Sequence, residues 1–143
     1  MKRTVAVALL ATIALAGAAR ILRAQQKEEP LDPRILAYDK GPAKIDVSKY
    51  PKDMQDKYKV FVKKCSTCHT LARPINSDFV LEEDWERYVK RMMHKPNSGI
   101  SDSQGKEIFD FLTYDQTHRK DKNPKAFYPA LSDEEIQKLQ PKQ

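Results

Sequence analysis

The sequence of 143 residues predicts an all-α protein. Three segments, 52–64, 81–93 and the one that begins at Ser101, carry apolar residues three or four positions apart, the spacing of one helix face. No segment alternates apolar and polar residues as a strand does, and no internal repeat is present. With 40% hydrophobic and 32% charged residues, the chain has the composition of a globular domain that is polar for its size.

The first predicted helix, 52–64, leads directly into the two cysteines of the chain. Its apolar stripe consists of Met54, Tyr58, Phe61 and Val62. The chain continues without a break into Cys65, Cys68 and His69. These three side chains are therefore expected at the C-terminal end of a helix.

The second predicted helix, 81–93, follows a loop over 70–79. Its apolar positions are Leu81, Trp85, Tyr88, Val89 and Met92. Acidic residues occupy its first turn and basic residues its last turn, an order that suits the helix dipole. The third helix has Ser101 as its cap, with Gln104 three residues later in the capping-box pattern. It is expected to stop at 121–124.

The regions on either side of these helices differ from them in composition. The segment 25–48 is rich in proline, has no sustained periodicity and predicts an extended N-terminal arm. The helical domain is expected over 49–120. The tail, 121–143, contains one candidate short helix at 132–139, with Ser132 as its cap.

The N-terminal segment 1–24 has the pattern of a secretory signal peptide. A basic start is followed by an uncharged stretch, rich in Ala, Leu and Val, that ends at Arg20. Cleavage is expected after Ala24 or after Ala18. The alternative is an uncleaved membrane anchor, although the uncharged run is shorter than the roughly 20 residues that a spanning helix needs. Either outcome places the rest of the chain in the periplasm or another extracytoplasmic compartment.

The charge of the chain does not support a nucleic-acid partner. The formal net charge is +6, but the segment 1–24 holds four basic residues and no acidic one. Subtracting these four from the 26 Lys and Arg leaves 22 basic residues against 20 acidic ones. A net charge of +2 is too small to indicate a nucleic-acid-binding surface.

The five residues from Cys65 to His69 match the signature by which a c-type haem is attached. The thiols of Cys65 and Cys68 would form thioether bonds with the two vinyl groups of the porphyrin, and His69 would bind the iron. Both cysteines of the chain belong to this motif. A redox dithiol would need a βαβ context, and a zinc site would need a fourth ligand that His94 and His118 do not provide.

On these residues the chain resembles the small class I cytochromes c, over about 51–119. In that family an aromatic residue precedes the first haem cysteine by four positions, as Phe61 does here, and a C-terminal helix carries a pair like Phe111-Leu112. The two helices cross, usually at a glycine eight positions before the first cysteine, where this chain has Lys57. The resemblance implies a small helical domain around one covalent haem c and an electron-transfer protein, not an enzyme.

The resemblance also implies a methionine as second axial ligand of the iron. Measured from Trp85 at about 100° per residue, Met92 lies at about −20°, Met93 at about 80° and His94 at about 180°. Met92 shares the apolar face with Trp85 and is the expected iron ligand together with His69. Met93 and His94 are the alternatives, ordinary core packing is the competing interpretation of Met92, and an open sixth site is a further one.

Three other residues are expected around the haem. Trp85 and Tyr88 would wall it, a role that is compatible with core packing because the haem would itself fill the core. The carbonyl of Pro74 would accept a hydrogen bond from the imidazole of His69 and so fix its tautomer.

Three functions agree with one haem outside the cytoplasm. A free carrier would pass single electrons between redox protein partners through a small interface, steered by lysines such as Lys64 and Lys95. A haem-bearing subunit fixed in a larger respiratory or photosynthetic complex would use the same chemistry, with its arm and tail against that complex. An open-site haem enzyme or gas sensor is the third function, but the sequence has no evident distal acid–base pair.

Overall fold

The computed structural model describes residues 31–139, which form helices and loops with no strand among them. The helices of this part of the chain are α1 (Pro33–Asp39), α2 (Lys52–Cys65), α3 (Ala72–Ile75), α4 (Glu82–Met93), α5 (Asp102–Asp115), the π-helix π1 (Gln116–Lys120), α6 (Pro124–Phe127) and α7 (Asp133–Leu139). The predicted all-α class is confirmed. Helices α2 and α4 coincide with the first two predicted helices within one residue, and α5 together with π1 covers the third.

Helices α2 and α5 pack against each other at the centre of the core. Phe61 of α2 and Phe111 of α5 are fully buried, and their ring centroids are 5.4 Å apart. Burial of each such side chain stabilises the fold by about 1.5–3 kcal/mol. Beside this contact the Lys57 ammonium lies 3.2 Å from the carboxylate of Asp110, and both side chains are half-buried. Because a lysine can bury its stem while its charge is paired, the helices pack without a glycine at position 57.

Helix α4 packs against α5 with its apolar face turned inward. Trp85, Tyr88 and Val89 are its buried residues. Asp84 accepts a hydrogen bond of 3.2 Å from the backbone N–H of Leu81, which caps the start of the helix. Where α4 and α5 meet, a Cβ atom at Gly105 would collide with the sulfur of Met93. The missing side chain at Gly105 therefore allows the close approach of the two helices.

Helix α5 begins with the reciprocal cap that its sequence predicts. The hydroxyl of Ser101 accepts from the N–H of Gln104 at 3.3 Å, and the side-chain oxygen of Gln104 accepts from the N–H of Ser101 at 3.1 Å. At its other end the helix widens into π1, in which Gln116 and Lys120 are buried. The helical segment stops after Lys120, as predicted.

The structure corrects the prediction of an extended arm over 25–48, because α1 lies within it. Asp32 caps α1 by accepting a hydrogen bond of 2.8 Å from the N–H of Arg34, and a proline occupies the first helical position. Seven residues are too few to show periodicity, and a helix this short is marginal alone. An ion pair of 2.7 Å between Arg73 and Asp39 attaches α1 to the helical turn α3.

The tail packs onto the other helices close to its beginning. Tyr128 is buried, and its hydroxyl donates a hydrogen bond of 2.9 Å to Asp121. Ser132 accepts from the N–H of Glu135 at 3.3 Å, so the predicted short helix and its cap are confirmed as α7. From Asp32 onward, the described parts of the arm and the tail belong to the same compact unit as the helices between them.

The predicted signal peptide or anchor, 1–24, lies outside the described residues. Between residues 31 and 139, no helix is both long enough and apolar enough to cross a membrane.

Candidate functional site

The motif residues lie at the C-terminal end of α2, where the sequence predicts them. Cys65 is the last residue of the helix and is buried, whereas Cys68 is exposed in the turn that follows. The hydroxyl of Thr67 donates a hydrogen bond of 2.8 Å to the carbonyl of Lys64, which closes the turn between the two cysteines. Both thiols are free.

One small cavity brings the motif together with helix α4. Cys65, Cys68 and His69 line this cavity together with Met92, and its volume is about 30 Å³. The other lining residues are Lys64, Thr67, Lys95, Ser98 and Ile100. Two thiols, an imidazole and a thioether therefore face one small space, although Met92 is more than twenty positions from the cysteines in the chain.

The imidazole of His69 has a contact at each of its nitrogens. Nδ1 lies 2.8 Å from the carbonyl oxygen of Thr70, and Nε2 lies 3.4 Å from the hydroxyl of Tyr88. Because a carbonyl oxygen can only accept a hydrogen bond, Nδ1 carries the proton of the neutral ring and Nε2 carries the lone pair. Nε2 is thus the nitrogen that can bind a metal.

The expected hydrogen bond between His69 and Pro74 does not form. Pro74 is buried in α3, and its carbonyl oxygen accepts from the hydroxyl of Ser77 at 3.0 Å and from the ammonium of Lys120 at 3.4 Å. Residues 72–75 form a helical turn where a loop was predicted, so their carbonyl groups point toward the end of that turn. The carbonyl of Thr70 takes the place that was assigned to Pro74.

Trp85 and Tyr88 lie side by side on the buried face of α4, with ring centroids 6.0 Å apart. Phe79 packs edge-on against both rings, at 5.0 Å and 5.6 Å. Of the two α4 rings, only Tyr88 contacts His69. The indole N–H of Trp85 instead donates a hydrogen bond of 2.5 Å to the side chain of Gln116. Trp85 therefore packs against the Tyr88 ring and forms its own hydrogen bond to Gln116.

Tyr88 also faces a second cavity, of about 270 Å³, on another side of α4. Four arginines (Arg34, Arg73, Arg87 and Arg91) and three aspartates (Asp32, Asp78 and Asp84) line it. The guanidinium of Arg91 lies 5.7 Å from the centroid of the Tyr88 ring. Tyr88 therefore has aromatic rings on one side, toward Trp85, and on another side a cavity whose lining contains both arginines and aspartates.

The environment of Cys65 does not suit a redox dithiol. Burial, with a smaller contribution from Cys68, raises the pKa of the Cys65 thiol to about 12. Reactive cysteines of dithiol enzymes have lowered pKa values, since the thiolate is the nucleophile. A thiol that stays protonated at neutral pH is a poor nucleophile for disulfide exchange.

Comparison with protein-family models, with curated proteins and with solved structures finds no match to this chain. The chemistry of the site therefore rests on its own residues. In the part of the chain that the structure describes, no three His, Cys, Asp or Glu side chains are arranged to hold a bare metal ion.

The three candidates for the second iron ligand occupy different surroundings. Met92 lines the cavity of the motif. Met93 points toward Gly105 and lines a separate groove of about 540 Å³ between α4 and α5. His94 is exposed, and its Nδ1 lies 2.6 Å from the carbonyl of Lys90. Met92 alone among them shares a cavity with His69.

Four groups near the site were not found by sequence reasoning: the Thr70 carbonyl, Ser77, Gln116 and Lys120. A backbone carbonyl has no signal in the sequence, and Ser77 lies in a polar loop. Gln116 and Lys120 follow α5 in a stretch that has no apolar periodicity. The contact between Trp85 and Gln116 spans 31 positions, so only the packing of α4 against the end of α5 reveals it.

Proposed function

We propose that the protein is a monohaem c-type cytochrome that transfers single electrons outside the cytoplasm. The observation that carries the proposal is the cavity in which Cys65, Cys68 and His69 meet Met92. Two thiols at the end of a helix are the groups that attach a c-type haem, and an imidazole whose Nε2 carries the lone pair is the group that binds its iron. The thioether of Met92 supplies the second ligand of an electron carrier.

Each side chain has a defined role in this proposal. Cys65 and Cys68 attach the haem through thioether bonds, so the cofactor is not lost to the surroundings. His69 binds through Nε2, while the carbonyl of Thr70 holds Nδ1–H and keeps the ring oriented. When bound, the haem supplies an iron that alternates between Fe(III) and Fe(II). Met92 as second ligand gives a higher reduction potential than a second histidine would.

The packing of α2 on α5 supports the resemblance to the small class I cytochromes c. Phe61 precedes Cys65 by four positions and contacts Phe111 of the C-terminal helix, the pair of positions at which that family carries aromatic residues. Lys57 stands where the family usually has glycine. Its ion pair with Asp110 accounts for that departure while the two helices remain in contact.

The donor groups fit a c-type haem in type and order, but the cavity is closed around them. Its volume of about 30 Å³ compares with roughly 300 Å³ or more for pockets that enclose a small molecule. Haem binding therefore requires side chains to move, Met92 at the cavity and Tyr88 away from Nε2 of His69. Trp85 and Phe79 behind Tyr88 keep the surroundings apolar.

Partners of the proposed carrier would be redox proteins or a membrane redox complex. Lys64 and Lys95 border the cavity and would attract an acidic docking surface. The pattern of segment 1–24 supports an extracytoplasmic location, with membrane association if the segment is not cleaved.

A subunit fixed in a larger redox complex is the second candidate, and one observation favours it. Leu36 of α1 is 47% exposed, so an apolar side chain of the arm is accessible to a partner. Tyr38 of the arm and Phe127 of the tail are half-buried within the chain itself, and Tyr128 is buried. The mass of native material on size exclusion separates the candidates, since a lone monomer contradicts the fixed subunit.

Two measurements test the proposed function: the pyridine haemochrome spectrum, and the mass of the protein after it is purified from its natural source and denatured. A chain with two thioether bonds retains haem after denaturation, in a ratio of one per chain. Cys65→Ser and Cys68→Ser should each leave a single thioether and shift the haemochrome band, and the double variant should hold no covalent haem. Carbon monoxide that binds readily to the reduced protein would instead favour the open-site enzyme or sensor.

The proposal is contradicted if the protein from its natural source, once denatured, has the mass of the bare polypeptide and no Soret band. Ser66→Ala, between the two cysteines, is the matched control and should retain the haem of the unmodified chain.

A further inference from the structure

Lys120, the last residue of π1, is 0% exposed, although lysine is almost never fully buried without a charged partner. Its ammonium donates hydrogen bonds to the carbonyl oxygen of Ser77 at 2.7 Å, to the hydroxyl of Ser77 at 3.1 Å and to the carbonyl oxygen of Pro74 at 3.4 Å. All three acceptors are neutral. The charge of the ammonium is therefore solvated by the protein but not paired.

A short chain of side-chain contacts leads from this ammonium to His69. The ammonium lies 4.7 Å from the centroid of the Trp85 ring, on which it makes a cation–π contact. The Trp85 ring is the neighbour of Tyr88, whose hydroxyl approaches Nε2 of His69. On another side the ammonium lies 5.7 Å from the ring of Phe127. Aromatic rings screen a charge far less than water does, so the field of Lys120 extends toward the haem site.

Charged groups surround Lys120 from four elements, and none of their described carboxylates accepts a hydrogen bond from it. Arg119 is its neighbour in π1, Asp115 ends α5, Asp121 follows π1, and Asp78 lies in the loop before α4. Arg119 is paired with Asp115 at 2.5 Å, and Asp121 accepts from the Tyr128 hydroxyl. Burial raises the pKa of the Tyr38 phenol, and Asp78 is close enough to its hydroxyl to raise that pKa further.

The balance of these surroundings opposes the charge. Burial, with a smaller contribution from Arg119, lowers the pKa of Lys120 to about 7, and the three carboxylates offset this only in part. A change of proton occupancy at this amine near neutral pH adds or removes one unit of positive charge in the apolar interior.

We propose that Lys120 regulates the reduction potential of the haem site through its buried positive charge; this inference rests on the proposed function. Ferric haem carries one positive charge more than ferrous haem, so a nearby ammonium favours the ferrous form and raises the potential. Loss of the Lys120 proton removes that effect. There is a pH range in which Lys120 is neutral in the ferric protein and protonated in the ferrous protein. In that range, one proton from solvent binds the amine as one electron enters the iron.

Linkage gives the proposal a second consequence. If protonation of Lys120 favours reduction, then reduction must raise the proton affinity of Lys120 by the same factor. The pKa of Lys120 is therefore higher in the ferrous protein than in the ferric protein.

The test measures the reduction potential of the holoprotein against pH, from about 6 to about 9. The unmodified protein should lose potential as pH rises through neutrality. Lys120→Met should stay at the low potential that the unmodified protein reaches at high pH and lose that pH dependence. Lys120→Arg, whose guanidinium is always charged, should keep the high potential that the unmodified protein has at low pH. Lys122→Met, an exposed lysine two positions away, is the control and should behave like the unmodified protein.

A second measurement uses the unmodified protein, so it does not depend on whether a variant folds. In holoprotein with ¹³Cε-labelled lysine, one lysine resonance should titrate near neutrality, at a higher pH in the ferrous than in the ferric state. A potential that does not change with pH, or a Lys120→Met profile that equals the unmodified one, overturns the role of Lys120 in a protein that holds its haem. A native protein without covalent haem overturns the proposed function instead, so the two failures are distinct.

Discussion

The hydroxyl of Tyr88 lies 3.4 Å from Nε2 of His69, while the carbonyl oxygen of Thr70 lies 2.8 Å from Nδ1 of the same ring. The imidazole is thus held by a backbone group at one nitrogen and by a side chain at the other. The backbone carbonyl belongs to the turn after α2 and moves only with that turn. The tyrosine can change rotamer, so Nε2 is the nitrogen that becomes available to iron.

Removal of the Tyr88 hydroxyl should leave haem attachment intact. Tyr88→Phe keeps the packing against Trp85 and Phe79 and loses only the contact with Nε2, so we expect an unchanged ratio of Soret to protein absorbance. Tyr88→Ala leaves a cavity in the core and should lower the free energy of unfolding by about 3–5 kcal/mol in urea titrations. Loss of haem from Tyr88→Phe would show that the hydroxyl itself holds the cofactor.

Substitution of the two adjacent methionines should have different effects. Met92→Ala removes the methionine that shares a cavity with His69, so we expect loss of the weak long-wavelength band of Met–iron ligation and a high-spin ferric spectrum. Met93→Ala removes packing against Gly105 and should keep that band. Absorption spectra of the two oxidised variants distinguish these outcomes, and a normal band in Met92→Ala would exclude Met92 as the ligand.

The crossing of α2 and α5 should tolerate little change at its centre. Phe111 is fully buried against Phe61, and Phe111→Ala should lower the free energy of unfolding by about 3–5 kcal/mol. Phe109, on the same helix, is only half-buried beside the groove between α4 and α5, and Phe109→Ala should cost clearly less. Urea unfolding followed by circular dichroism measures both, and equal losses would contradict this description of the core.

Stability should rise with pH above neutrality because of Lys120. The folded-state pKa of about 7 lies below the ordinary value of 10.5, so between these values the unfolded chain binds the proton more tightly. The free energy of unfolding therefore increases as pH rises through this window, and below about pH 7 the full cost of the buried charge is present. Tyr50 and Tyr128, whose pKa values are raised by burial, act only above about pH 10.

Urea titrations at about pH 6 and about pH 9 check this slope. Lys120→Met should flatten it, since that variant has no proton to exchange at this position. Lys122→Met should retain the slope of the unmodified protein. An equal slope in all three proteins would assign the pH dependence to other groups.

Much of the helical framework could be predicted because its signals are local. The stripe from Met54 to Val62, the cap formed by Ser101 and Gln104, and the cap at Ser132 each depend on residues only a few positions apart. The predicted angle between Trp85 and Met92 assumes an unbroken helix, and α4 does run unbroken to Met93. Met92 lines the cavity of the motif. The short helix α1 was missed because its signals, Asp32 and Pro33, span too few residues to show a period.

By itself the sequence determined the all-α class, the three long helices and the position of Cys65, Cys68 and His69 at the end of one of them. These depend on hydrogen bonds and side-chain spacing within single segments. Only the tertiary structure decided that Thr70, not Pro74, holds the imidazole, that Tyr88 reaches Nε2, and that Lys120 is buried against Trp85. Each of these depends on how separate helices pack or how a turn closes, and burial of a polar group next to a distant residue leaves no pattern in the local sequence.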